Sequence, residues 1–168
     1  MRRPGDALWG AAAAPLRWRG GDGDALRPAA GHLDRAERHQ ETPGGPVTTA
    51  RASLVLRLDV AATVVVQDYR RVHADGSELT GHGVFLAEPG GTDLLWWFFD
   101  STGRVPTPAR GSGREGELVL ESVTADGPAR HHFHAADDRL DYRVDVRVGG
   151  ATERLPLLTG SYRRITGH

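Results

Sequence analysis

Two histidines and two tyrosines of this sequence have the chemistry that a binding or catalytic pocket needs. An imidazole exchanges protons near neutral pH and a phenol donates a hydrogen bond, so Tyr69, His82, His131 and Tyr142 are candidate acid–base or ligand-binding groups. For the two histidines, a hydrogen-bonded place in the core is the alternative. The chain has no cysteine and no Gly-x-Ser-x-Gly motif, which excludes thiol catalysis and disulfides and argues against a serine hydrolase.

Another histidine pair, His132 and His134, has the spacing at which two side chains of one strand point the same way. Such a pair can hold a metal ion, and the predicted register places Glu121 opposite His132. The same face carries Arg130 and Arg143, whose charges repel a cation. We therefore predict an outer ladder of charged residues here and no metal site.

The elements that position these residues are predicted to be strands joined by glycine turns. Turn signals recur between apolar or alternating runs, at Pro43–Pro46, Asp75–Gly76, Pro89–Gly91, Thr102–Gly103, Asp126–Gly127 and Gly149–Gly150. About ten strands without an intervening helix predict an all-β fold, a single up-and-down antiparallel barrel, because closure removes the exposed edges of such a sheet.

The sequence divides into a short arm and the barrel. Residues 1–30 are rich in alanine, glycine, arginine and proline, and we interpret them as an arm that is flexible or partly helical over 6–14. Residues 31–168 form the predicted barrel domain.

Composition limits the partners and the location of the protein. The formal net charge is -1 over 168 residues, so no global field favours nucleic acid or an anionic membrane. Neither a secretory signal nor a membrane-spanning run is recognisable, and we expect a cytoplasmic protein, either a monomer or a homodimer.

Centring each turn in its hairpin predicts which side chains point into the barrel. In the first half the leucine-rich face is taken as the inner one, because its alternates are mostly polar. The predicted ligand-binding residues of this half are Leu54, Leu56, Gln67, Tyr69, His82, Trp97 and Phe99. A slip of one residue would exchange Trp97 for Trp96.

The second half gives an inner face in the same way. Pairs of opposite charge collect on one face, which leaves the other face for the lumen. The predicted ligand-binding residues here are Ser122, His131, Phe133, Tyr142 and Arg163. Arg163 is a candidate anchor for a ligand carboxylate, and cation–π packing on a tryptophan at the barrel end is the alternative.

Several motifs together resemble a known class of barrel. They are Tyr69–Arg71, Asp75–Gly76, Gly81 with Gly83, Leu95–Gly103 and Leu158–Arg164. Over roughly residues 31–166 the chain resembles a bacterial family of calycin-like barrels, most of whose members have no known function. That family is similar in fold to fatty-acid-binding proteins and to the haem-binding nitrobindins.

The resemblance and the predicted lumen favour binding of a small hydrophobic or aromatic molecule inside the barrel. A small cofactorless enzyme that acts on such a molecule, as a cyclase, isomerase or dehydratase, is the alternative, since both functions need a shaped apolar cavity. A haem-binding barrel is a further alternative implied by the resemblance. The last predicted strand contains no histidine, which leaves His82 or His131 as the axial ligand, and we predict no haem and no other cofactor.

Overall fold

The computed structural model describes residues 31–40, 42–60, 63–88, 93–114 and 116–164. The predicted arm of residues 1–30 lies outside this set, so the proposed division into arm and barrel stays a prediction. No helix within the described residues is long and apolar enough to cross a membrane.

The regular structure of the described residues consists of antiparallel β-strands. Their bounds are β1 Gly31–Gln40, β2 Val47–Asp59, β3 Val64–His73, β4 Glu78–Ala87, β5 Leu94–Asp100, β6 Ala109–Arg114, β7 Glu117–Thr124, β8 Gly127–Ala136, β9 Arg139–Val146 and β10 Leu155–Arg164. Each strand pairs with the next along the chain, and β1 also pairs with β10. The predicted closed up-and-down barrel of ten strands is confirmed.

Alternation of side chains along the strands builds the core. In β2 the buried positions are Ala50, Ala52, Leu54 and Leu56, and the residues between them are more exposed. The same period of two recurs in β8, where Phe133 and Ala135 are buried and His134 is exposed. The inner faces together enclose the core and a cavity.

The register between β2 and β3 differs from the predicted one by two residues. Leu54 lies opposite Tyr69, whereas it was predicted opposite Gln67. Because the side-chain period is two, this shift leaves every residue on its predicted face. Leu54, Leu56, Gln67 and Tyr69 all point inward and are buried.

The next turn contains three residues where two were assumed, and this reverses the predicted face of β4. His73 N–H donates to Ser77 O at 2.9 Å, so Ala74, Asp75 and Gly76 form the loop, with Gly76 at a φ of 85°. Tyr69 therefore lies opposite Gly81.

The orientations predicted for three site residues are consequently wrong. On β4, His82 points outward, and on β5 its neighbours across the sheet make Trp97 and Phe99 outer residues as well. The β5 rings that enter the interior are Trp96, which is 5% exposed, and Phe98.

The C-terminal strands keep the predicted faces except at one bulge. His132 lies opposite Arg143 as predicted, but Glu121 lies opposite Arg130 and not His132. In β10 the register shifts between Pro156 and Leu158, and after this bulge the even-numbered residues face inward. Arg163 is exposed as a result, so its predicted inward orientation is also wrong.

Candidate functional site in the barrel interior

A cavity of about 400 Å³ opens at one end of the barrel. Its wall is mainly apolar and aromatic, with a few polar side chains, and its rim includes the exposed residues Arg104 and Val105. The wall residues used below are Leu54, Gln67, Tyr69, Arg71, Trp96, Phe98, Ser122, His131 and Tyr142.

Trp96 lies at the centre of the aromatic wall. Its ring stacks on Phe85 with centroids 5.4 Å apart, and it meets the ring of His131 edge-on at 5.0 Å. Its Nε1–H donates to Gln67 Oε1 at 3.1 Å, which satisfies both buried polar groups. Gly83 makes this arrangement possible, because a Cβ there would lie 2.5 Å from Gln67 Oε1 and 2.7 Å from Trp96 Nε1.

Ser122, His131 and Tyr142 form a chain of hydrogen bonds along the cavity wall. His131 Nε2 is bonded to Ser122 Oγ at 2.9 Å, and His131 Nδ1 is bonded to the Tyr142 hydroxyl at 2.9 Å. Burial lowers the pKa of His131 to about 4, so its ring is neutral near neutral pH.

The proton count of this chain determines what it offers to a ligand. A neutral histidine and two hydroxyls carry three polar hydrogens, and the two links use two of them. In either imidazole tautomer, one terminal hydroxyl of Ser122 or Tyr142 keeps a hydrogen that it can donate to a ligand oxygen or nitrogen.

A buried carboxyl group forms the second polar cluster. The Tyr69 hydroxyl donates to Glu37 Oε2 at 2.6 Å, and Arg71 Nη1 lies 3.9 Å from the same oxygen. Burial raises the pKa of Glu37 to about 7, against the opposing effects of Tyr69 and Arg71. Burial, together with the charge and hydrogen bond of Glu37, raises the pKa of Tyr69 far above its usual value.

Sequence reasoning missed Glu37 and Arg71 as members of the site. Arg71 shares the face of Tyr69 two residues earlier, so the period of two could have identified it. Glu37 had no comparable signal, because β1 carries charged residues on both sides.

The structure brings together only part of the predicted site. The predicted residues that line the cavity are Leu54, Gln67, Tyr69, Ser122, His131 and Tyr142. Leu56 and Phe133 are buried in the core around it. The remaining predicted residues lie on the outer face, namely His82, Trp97, Phe99 and Arg163.

The two histidines considered for haem do not fit an axial ligand. His82 is on the outer face, where its Nδ1 lies 2.7 Å from Asp68 Oδ1 and its side chain is half exposed. His131 reaches the cavity, but both of its ring nitrogens are engaged by Ser122 and Tyr142. Neither residue therefore presents an open ring nitrogen to the cavity, because His82 faces away from it and both nitrogens of His131 are engaged.

The second histidine pair lies on the outside of the barrel. His132 and His134 approach Glu117 Oε1 at 3.9 and 3.5 Å, and all three side chains are substantially exposed. Among the described residues there is no group of three or more His, Asp or Glu side chains placed to hold a metal ion.

Structural comparison identifies the fold class. Rv2717c from M. tuberculosis superposes with a TM-score of 0.63 at 15% identity, covering 84% of this chain and 97% of that one. The S-type phycobiliprotein lyase CPES from Guillardia theta superposes with a TM-score of 0.66 at 8% identity, covering 94% and 100%. The chain folds as a calycin-like barrel. No family model matches the sequence of this calycin-like barrel, and no curated protein is significantly similar to it.

Proposed function

We propose that this calycin-like barrel binds a small, largely apolar molecule with an aromatic part in its interior. The observation that carries the proposal is the cavity itself, about 400 Å³ of space walled by aromatic rings with a few convergent polar groups. A ring can stack on Trp96 or Phe98, while a carbonyl or hydroxyl of the ligand meets the free hydrogen of the Ser122–His131–Tyr142 chain. The fold neighbour named as a phycobiliprotein lyase shares this barrel architecture, which is compatible with a role in handling a small molecule here.

Two adjacent tryptophans provide the test of this proposal. Trp96 faces the cavity and Trp97 faces outward, so of these two tryptophans Trp96 should report on a molecule that enters the barrel. We expect an apolar aromatic probe, N-phenylnaphthylamine, to quench the tryptophan emission of the wild-type protein and of Trp97→Phe. Trp96→Phe should lose most of that response and bind more weakly by up to about 1 kcal/mol, because phenylalanine keeps part of the apolar contact.

The opposite result would refute the proposed cavity. If Trp97→Phe loses the response and Trp96→Phe keeps it, the probe binds to the outer face of β5. A wild-type protein that binds no apolar probe would show that the cavity is not a ligand site.

Catalysis on the bound molecule is the second candidate function, and the hydrogen-bond chain of His131 favours it. A neutral imidazole between two hydroxyls can relay a proton across the cavity wall, as a cyclase, isomerase or dehydratase requires. The hydrogen-bond chain of Ser122, His131 and Tyr142 contains no carboxylate that could stabilise a charged imidazolium, as a serine hydrolase requires. Native mass spectrometry of protein purified from its own host, before and after incubation, distinguishes retention of a ligand from its conversion.

The other sequence-based predictions are unchanged. The cytoplasmic location, the absence of nucleic-acid and membrane partners, and a monomeric or homodimeric state stay predictions from composition and fold.

A further inference from the structure

Arg71 is a cation on the cavity wall whose hydrogen-bonding capacity is largely unused. Its side chain is 15% exposed, and its closest carboxylate contact is the 3.9 Å approach of Nη1 to Glu37 Oε2. Its Nε is buried without a hydrogen-bond partner among the described residues. A guanidinium has five N–H donors in a planar fork that matches a carboxylate or sulfonate, so this one has room for a second anion.

Glu37 is the carboxyl group nearest to Arg71, and its own hydrogen bonds are also incomplete. The residue is fully buried, Oε2 accepts the hydrogen bond of Tyr69, and Oε1 has no partner within the described part of the chain. A buried carboxylate with one unsatisfied oxygen is costly, and protonation of that oxygen removes the charge.

The surroundings of Glu37 contain other titratable groups, but Arg71 is the cation that acts on its charge. Tyr69 and Arg71 face it from β3, Tyr142 from β9 and Tyr162 from β10. On β1 itself the next residue on the inner face is His39, and β2 presents Ala50 there. Burial raises the pKa values of Tyr69 and Tyr142, which stay neutral near pH 7, and Arg71 is the cation whose charge opposes the raised pKa of Glu37.

We propose that Arg71 is the counter-ion for an acidic group of the ligand and that Glu37 takes up one proton when that group binds. The ligand is then an apolar or aromatic organic acid, an inference that rests on the proposed ligand-binding function. Arg71 and ionised Glu37 together are neutral, and a ligand anion adds one negative charge to a poorly solvated site. Transfer of one proton from solvent to Glu37 restores neutrality and leaves Arg71 paired with the ligand. Because the pKa of Glu37 is raised to about 7, this protonation is readily reached near neutral pH.

Two fluorescent probes that differ by one acidic group test the proposal. Anilinonaphthalene sulfonate is an anion throughout the range from about pH 6 to 9, and N-phenylnaphthylamine is the same ring system without the sulfonate. For the wild-type protein we expect the dissociation constant of the sulfonate to rise about 10- to 100-fold from about pH 7 to pH 9, as linkage to one proton requires. The affinity for the neutral probe should stay constant over that range.

Two variants and a control assign the effect to residues. Arg71→Met should weaken binding of the sulfonate at least about 10-fold more than it weakens binding of the neutral probe. Glu37→Gln imitates the protonated carboxyl, so it should bind the sulfonate tightly at every pH. Arg163→Met, which removes an exposed arginine from β10, should change neither probe.

Calorimetry gives an independent reading if Arg71→Met fails to fold. Titration of the sulfonate at about pH 8 in buffers of different ionisation enthalpy should show uptake of about one proton by the wild-type protein and none by Glu37→Gln. Equal binding of both probes at every pH, without proton uptake, would overturn the inference and leave the cavity intact. Failure of both probes to bind would instead refute the proposed function.

Discussion

At the scale of single residues, Tyr142 supplies one of the two hydrogen bonds that hold His131. Replacing Tyr142 by phenylalanine keeps the ring and removes the hydrogen-bond partner of His131 Nδ1. We expect Tyr142→Phe to lower the free energy of unfolding by about 1–3 kcal/mol, the usual cost of an unsatisfied buried polar group. Urea denaturation of the two proteins measures the difference.

A double-mutant cycle separates this hydrogen bond from simple loss of packing. His131→Leu alone leaves the Tyr142 hydroxyl without its imidazole partner, whereas His131→Leu with Tyr142→Phe removes both polar groups. The double variant should therefore lose clearly less stability than the sum of the two single losses. Additive losses would show that the two side chains are not coupled.

The sequence could place the residues of this hydrogen-bond chain on the inner face, but it could not identify the carboxyl cluster. The predicted pairing of β7 with β8 was off by two residues, which kept Ser122 and His131 on the inner face. The inward position of Glu37 could not be predicted, because its strand mixes charged and apolar residues without a period of two. Its burial depends on closure of β1 against both β2 and β10, which is a tertiary effect.

At the scale of elements, the parity of a register error decides whether site residues are predicted correctly. The Asp75–Gly76 pair is compatible with a two-residue turn and with a three-residue loop ending in a glycine at positive φ. The side-chain pattern of the following strand, β4, does not distinguish the two turn lengths, because two of its inward positions are glycines, Gly81 and Gly83. The faces of β5 were predicted from its pairing with β4. Because β5 is apolar on both faces, its own sequence gave no sign that the face predicted for His82 was wrong.

β10 shows the same effect from a different cause. The bulge after Pro156 inserts one residue into the strand and reverses the faces of everything beyond it. The segment Leu155–Leu158 consists of three leucines and a proline, so no alternation of polar and apolar residues marks the bulge. Arg163 was misplaced for this reason, and Tyr162 occupies the buried position.

Adjacent positions on β4 provide a prediction at this scale. A methyl group at Gly83 would push into Gln67 and Trp96, so Gly83→Ala should destabilise the protein by about 1–3 kcal/mol and shift its tryptophan emission. His82→Ala removes an exposed side chain paired with Asp68 and should cost less than about 1 kcal/mol. Thermal unfolding and emission spectra of both variants test the assigned faces, and a reversed ranking would mean that the faces of β4 are exchanged.

At the scale of the whole molecule, closure of the barrel places two titratable groups of opposite behaviour in one poorly solvated interior. Burial raises the pKa of Glu37 from 4.5 to about 7 and lowers the pKa of His131 from 6.5 to about 4. Both shifts disfavour the charged form of the group, but they affect stability in opposite directions as the pH changes.

The sign of each contribution follows from which state binds more protons. Glu37 binds its proton more tightly in the folded protein, so its contribution to stability is complete below about pH 4.5 and is lost as the pH rises to about 7. His131 binds its proton more tightly in the unfolded chain, so its contribution is complete above about pH 6.5 and is lost as the pH falls to about 4. In the wild-type protein the two effects oppose each other over nearly the same interval.

We therefore predict that two single variants change stability with pH in opposite directions while the wild-type protein changes little between about pH 4.5 and 6.5. Glu37→Gln leaves the His131 effect, so its stability should rise with pH over this interval, by up to about 3 kcal/mol. His131→Leu leaves the Glu37 effect, so its stability should fall by a similar amount. Exposed carboxylates with lowered pKa values, such as Glu78 and Asp75, lose their contribution at more acidic pH and are common to all three proteins. Urea denaturation at a series of pH values measures the three slopes. Parallel slopes would mean that neither group is held in its neutral form by the interior of the barrel.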